Sequence, residues 1–129
     1  MNMITAIIPA RGGSKGIPKK NIIDIGGYPL IAYSIAACKM CENIDRIIVS
    51  TEDNKIANIA KSFGAEVPFM RPEKYAQDTN TDVDFLRHFF SNIDVNEVAL
   101  IRPTTPFREP VFMDKVIKEF FEIKDNITG

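Results

Sequence analysis

Apolar residues in this chain fall into short continuous runs separated by segments of helical period. "TAIIPA" (Thr5 to Ala10), "RIIVST" (Arg46 to Thr51), "EVPF" (Glu66 to Phe69) and "EVALIRP" (Glu97 to Pro103) are the runs, most of them β-branched. Near-continuous apolarity over so few residues suits strands covered on both faces, and such strands are parallel. Helical segments lie between and after them: "PLIAYSIAACKMC" from Pro29, "DNKIANIAKSFG" from Asp53, "DVDFLRHFFSNI" from Asp82 and "PVFMDKVIKEFFEI" from Pro110. Pro29 and Pro110 occupy first-turn positions, where a missing N–H costs nothing. Asp53 can cap its helix, and Gly64 follows Ile56, Ile59, Ala60 and Phe63 as a stop.

Strands alternating with helices predict βαβ units with right-handed crossovers. The expected fold is a mostly parallel, Rossmann-like three-layer α/β/α sheet, with ligand outside the carboxyl ends of the strands. Three polar loops then open on one edge. They are Ala10 to Asn21, "STED" (Ser50 to Asp53) and "RPTTPFR" (Arg102 to Arg108).

Composition narrows the function classes. A chain of 129 residues with 45% apolar content fits one small domain with a real core. With 16 Lys+Arg against 17 Asp+Glu, the formal net charge is -1, so no global basic field argues for nucleic acid. Any electrostatic recognition is therefore local. No apolar stretch approaches bilayer-spanning length, and "MNMITAIIPARGG" lacks the pattern of a signal peptide; the expectation is a cytoplasmic protein with no membrane contact. Cys38 and Cys41, in "CKMC", have redox or half-zinc spacing, but His88 is the one histidine and a zinc site needs more ligands. They read as reduced thiols on a helix, and His88 as a structural residue, leaving no metal site.

"IIPARGGSKGIPKKN" (Ile7 to Asn21) departs most from an ordinary domain. Adjacent glycines, a third glycine and the cations Arg11, Lys15, Lys19 and Lys20 follow directly on a strand. Glycines let backbone N–H groups approach an anion closely, so the loop suggests phosphate. Two familiar phosphate loops do not fit: Lys15 is followed by Gly16 rather than Ser or Thr, and "GGSKG" does not satisfy G-x-G-x-x-G. The following "IPKKNIIDIGG", with Pro18 in it, is also not the immediate helix those motifs need. Four cations imply more negative charge than one phosphate carries. A triphosphate fits better, with Arg11 able to fork two oxygens, Lys15 acting as a point charge, and Gly12 and Gly13 supplying amides.

That stretch closely resembles the N-terminal signature of the CMP-sialic acid synthetases, the acylneuraminate cytidylyltransferases. "RIIVSTED", "AKSFGAEVPFMRPEKYAQDT" and "RPTTPFR" resemble the family's later blocks, in order and at similar spacing. The resemblance implies a sheet of the nucleotide-diphospho-sugar transferase type. It also implies a reaction: the anomeric hydroxyl of a nonulosonic, sialic-type acid attacks the α-phosphate of CTP, and pyrophosphate leaves with Mg²⁺ assisting. Residues 1–129 then form the CTP-binding N-terminal part of a cytidylyltransferase domain, cut short at its C-terminus and inactive alone; the full-length protein is expected to be a homodimer.

Carried over by position, the resemblance makes Arg11, Lys15 and Lys20 the catalytic cations. Ala10, Arg11, Gly12, Gly13, Ser14, Lys15, Lys20 and Asn21 line the nucleotide phosphates, with Arg71 beside the nucleoside. Asn80 and Asp82 stand where family members have small residues near cytosine; Asp82 is equally the start of a helix. Arg102 replaces a frequent Gln near the acceptor sugar. It either meets a carboxylate or a differently substituted sugar, bringing legionaminic acid into competition with N-acetylneuraminic acid, or caps the strand end. Arg108 is peripheral. Asp53 is not read as a metal ligand, and the Mg²⁺ ligands are expected mainly outside this chain. The alternatives are a transferase for the eight-carbon acid KDO, whose loop lacks "GGSKG", and a non-catalytic CTP-binding fragment.

Overall fold

The structure, a computed structural model, describes residues 3–13, 20–72, 74, 82–95, 97–102, 114, 115, 117–119, 121 and 122. In chain order they form β1 (Ile4–Pro9), a 3-10 turn (Lys20–Ile22), β2 (Asp24–Ile25), β3 (Tyr28–Pro29), α1 (Leu30–Lys39), β4 (Ile44–Ser50), α2 (Asn54–Ser62), α3 (Asp82–Asn92) and β5 (Val98–Leu100). β1 lies between β4 and β5 and is parallel to both. Its register with β4 runs to Pro9 opposite Ser50, and the Ala10 N–H extends it by donating to the Ser50 carbonyl at 2.9 Å.

Side-chain alternation along these strands divides the core between two faces. Ile4, Ala6 and Ile8 of β1 and Val49 of β4 pack with Ile31, Ile35 and Cys38 of α1 and with Ile56 and Ala60 of α2. Ile7 and Ile48, pointing the other way, pack with Phe89 of α3, together with Leu86, Val98 and Leu100. Helices thus cover both faces, and the expected α/β/α layering is present. α1 and α2 share one face, and α3 lies on the opposite face, as expected when the chain moves from β1 to β4 and then back past β1 to β5 with crossovers of one hand. Residues 114, 115, 117–119, 121 and 122 are helical, in the segment expected to form a helix from Pro110. Ile117 and Phe121 join the first face, and the Asp114 carboxylate accepts from the Glu42 and Asn43 N–H groups at 2.9 and 3.0 Å.

Expectation and structure part at three places. The strand expected over Glu66 to Phe69 is a single bridge, Glu66 opposite Ile48. Glu66 donates to the Ile47 carbonyl at 2.8 Å and accepts from the Val49 N–H at 2.9 Å. The next donor in a parallel ladder would be residue 68, which is proline and has no N–H. Contact with the end of β4 resumes at Arg71, whose N–H donates to the Thr51 carbonyl at 2.8 Å. Pro29 is the extended residue just before α1 rather than a member of its first turn. Finally, β2 and β3 form a small antiparallel hairpin that the apolar pattern did not predict. Its turn is Gly26 and Gly27, at φ 63° and 97°, values that suit a tight hairpin turn and disfavour residues with a Cβ.

Helix α2 ends as its sequence implies. The Asp53 side chain accepts from the Lys55 and Ile56 N–H groups at 2.8 and 3.0 Å. At the other end Gly64 has φ 95°, while Ala65 and Gly64 donate to the carbonyls of Ala60 and Lys61, the pairing of a Schellman motif. No helix among the described residues is long and apolar enough to cross a membrane.

Candidate functional site

The carboxyl ends of β4, β1 and β5 lie side by side, and the order in which the strands are added reverses about β1. The residues after β1 therefore sit in the middle of the edge. Those after β4 flank them on one side and those after β5 on the other, the usual position of a ligand crevice in an open α/β sheet. Ala10 is fully buried at the exit of β1, and Arg11, Gly12 and Gly13 rise from it. The Asn21 side-chain amide, also buried, donates to the Arg11 carbonyl at 2.9 Å, tying the far end of the loop to its beginning.

The Gly12 and Gly13 N–H groups both point at one anion. Each donates to Glu52 Oε1, Gly13 at 3.3 Å and Gly12 more closely. Glu52 comes from the loop after β4, where the adjoining Ser50 and Thr51 are buried. Its other oxygen, Oε2, is buried with no hydrogen-bond partner among the described residues. Gly12 makes this approach possible: a Cβ there would lie 2.7 Å from Asp53 Oδ2 and 2.9 Å from Glu52 Oε1. Among the described residues nothing lies within 4 Å of a Cβ built at Gly13.

Arg71 completes the wall. Only 4% exposed, it donates from Nε to Ser50 Oγ and from Nη2 to the Ser50 carbonyl, both at 3.1 Å. Burial pushes its guanidinium down to about 10, with Glu52 acting to raise it and Arg11 to lower it. It remains a cation at neutral pH, and its field reaches both the carboxylate and the first cation of the glycine loop. The edge thus combines an amide pair aimed at an anion with two guanidiniums, a chemistry suited to a polyanion.

The other expected site residues are placed less closely. Arg102 is exposed on the same edge, just beyond β5, where the Ile101 N–H donates to the Ile7 carbonyl at 3.0 Å. Asp82 is the first residue of α3, and the Lys20 backbone opens the 3-10 turn. Ser14, Lys15, Lys19, Asn80 and Arg108 lie outside the described residues. Sequence reasoning considered Asp53 within "STED" and passed over Glu52. The available signal was a second carboxylate in a loop facing a glycine pair across the same edge.

The C-x-x-C pair stands apart from this edge. Both cysteines are buried and neither is in a disulfide, with Cys38 within α1 and Cys41 just past its end. Burial, with Asp114 nearby, pushes the Cys41 thiol up to about 11, and its Sγ–H donates to the Ala37 carbonyl at 3.3 Å. It therefore stays protonated at neutral pH and is a poor nucleophile or metal ligand. His88 stacks edge-on against Phe69 with ring centres 5.3 Å apart, and burial, then Arg71 and Lys74, lower its pKa.

A family model for cytidylyltransferase matches residues 5–128, and the chain belongs to that family. It is 39% identical over 116 residues to an N-acylneuraminate cytidylyltransferase of Escherichia coli, covering 89% of this chain and 27% of the relative. It is 43% identical over 113 residues to a CMP-N,N'-diacetyllegionaminic acid synthase of Legionella pneumophila, covering 83% and 48%. The chain thus spans about a quarter to a half of these relatives' lengths. Among solved structures, a CMP:2-keto-3-deoxy-manno-octonic acid synthetase complexed with CTP superposes with a TM-score of 0.81 at 20% identity, covering 94% of this chain and 48% of that one. At that identity the likeness concerns the fold.

Proposed function

We propose that this chain binds the triphosphate of CTP at the β1–β4 edge and serves a cytidylyltransferase that transfers CMP to a nonulosonic acid, releasing pyrophosphate. The observation that carries this is the pair of Gly12 and Gly13 amides converging on one anion beside Arg11 and Arg71. Transfer of a nucleotidyl group demands mainly positioning and neutralisation of charge on the phosphates, and amides and guanidiniums supply both. Arg11 is proposed to meet the phosphates from the start of the loop, Arg71 to add a buried positive charge, and Asn21 to keep the loop's ends together. Lys15, Lys20 and Ser14 are proposed to reach the remaining phosphate oxygens, with Asn80 and Asp82 near cytosine and Arg102 at the acceptor.

Relatives named for N-acylneuraminate, diacetyllegionaminic acid and pseudaminic acid support the acceptor class rather than one member of it. They also favour it over a KDO-type acceptor, for which the support is a likeness of fold at 20% identity. Among the described residues no group of three or more carboxylate, imidazole or thiol side chains converges, and Asp53 caps α2. These residues therefore do not by themselves fit a Mg²⁺ ion. Mg²⁺ is proposed to enter as a companion of the triphosphate, with its protein ligands elsewhere. A homodimer, and a cytoplasmic location drawing on the intracellular CTP pool, are proposed on the same family ground.

Calorimetric titration with CTP, ATP and GTP tests the reading. CTP should bind more tightly than either purine nucleotide. Equal affinities for all three would overturn the cytidylyl assignment and spare the phosphate loop.

A further inference from the structure

We propose that Glu52 is a built-in stand-in for phosphate: its carboxylate occupies the Gly12–Gly13 amide pair when the site is empty, and triphosphate binding expels it. The inference rests on the reading of the glycine loop as a triphosphate site. It adds a competitor supplied by the protein itself.

Three features point this way. The carboxylate accepts from both amides that would otherwise face a phosphate oxygen, so carboxylate and ligand cannot both hold them. The guanidiniums of Arg11 and Arg71 repel one another, and Glu52 offsets that repulsion at Arg71. An internal anion is therefore favoured there until an external one arrives. Yet the fit is incomplete, because Glu52 Oε2 is buried with no hydrogen-bond partner among the described residues. A buried acceptor left unpaired is costly, so leaving the amide pair recovers part of what the carboxylate gives up.

The exchange favours polyanions. A ligand bringing one anionic group replaces one charge by another, whereas a triphosphate brings further negative charge to the Arg11 and Arg71 guanidiniums. Glu52 then holds the amides in their binding geometry while weakening single small anions.

The test compares wild-type protein with Glu52→Ala and Glu52→Gln by titration with CTP, inorganic tripolyphosphate and cytidine, alongside thermal unfolding. Glu52→Ala should bind CTP and tripolyphosphate about tenfold more tightly, the order expected when a charge-assisted hydrogen bond need no longer be surrendered. Glu52→Gln, which keeps an acceptor oxygen for the amides without the charge, should show a smaller gain and fold normally. Cytidine affinity should not change. If Glu52 merely props the loop, both variants will bind the two polyphosphates no better than wild type, which overturns the proposal even where Glu52→Ala folds poorly. Tight tripolyphosphate binding without any preference for CTP would sink the cytidylyl reading and leave the stand-in intact. No polyphosphate binding by any of the three proteins would remove the triphosphate site and this inference with it.

Discussion

Gly12 and Gly13 look equivalent as letters and are not equivalent in space. Gly12 is wedged against the loop after β4, where an added methyl would meet Asp53 Oδ2 at 2.7 Å, Asp53 Cβ at 2.8 Å and Glu52 Oε1 at 2.9 Å. Those neighbours cannot simply turn aside, because Asp53 is held by its bonds to the first turn of α2. Gly12→Ala should therefore cost about 1–3 kcal/mol of stability, the usual range for overpacking, and should disturb anion binding as well. Gly13 has no described residue within 4 Å of its would-be Cβ, so Gly13→Ala should change stability by less than about 0.5 kcal/mol. Urea unfolding of the two variants decides between them. Equal losses would mean that the loop is not packed against β4's exit as described.

At the scale of the element, α2 shows how local sequence ends a helix and why that matters for the site. Its N-terminus is fastened by Asp53, next to Glu52, so the cap also anchors the loop that faces the glycines. Its C-terminus turns through Gly64 at φ 95°, a conformation that costs a residue with Cβ roughly 1–2 kcal/mol. A Cβ at Gly64 would also press on the end of Lys39, which is flexible enough to move. Asp53→Ala should lose about 1 kcal/mol and Gly64→Ala roughly 1–2, both seen as a lower denaturation midpoint at unchanged slope. The two should differ in function. Asp53→Ala should also weaken CTP binding, because it frees the loop after β4, whereas Gly64→Ala acts at the far end of the helix and should leave binding alone.

Across the whole molecule, the proposed site draws on the exits of β1 and β4 and on a segment that returns to β4 only at Arg71. A ligand that contacts all three should therefore resist unfolding of the whole sheet rather than of one loop. At a CTP concentration a hundredfold above its dissociation constant, linkage gives about 2.7 kcal/mol of added stability. For a chain of 129 residues that corresponds to a rise in Tm of roughly 10 °C, whereas cytidine at the same concentration, lacking the phosphates, should raise it far less. Thermal unfolding monitored by circular dichroism is the measurement. Equal shifts from CTP and cytidine would place the binding energy away from the glycine loop.

The sequence by itself determined the strand and helix alternation, the parallel sheet layered by helices and both ends of α2. These depend on periodicity, capping chemistry and burial within contiguous segments, which neighbouring residues encode. The proposal of Arg11, Gly12 and Gly13 as an anion loop also starts from the sequence, because glycines and cations at a strand exit are a local pattern. Only the tertiary structure decided that Glu66 pairs alone, since the missing donor at Pro68 matters only once β4 is its neighbour. Only it placed Arg71 behind Ser50 and brought Glu52 onto amides 39 and 40 residues away. Contacts across such separations are fixed by the order β4-β1-β5, a property of the assembled sheet that no single stretch of chain contains.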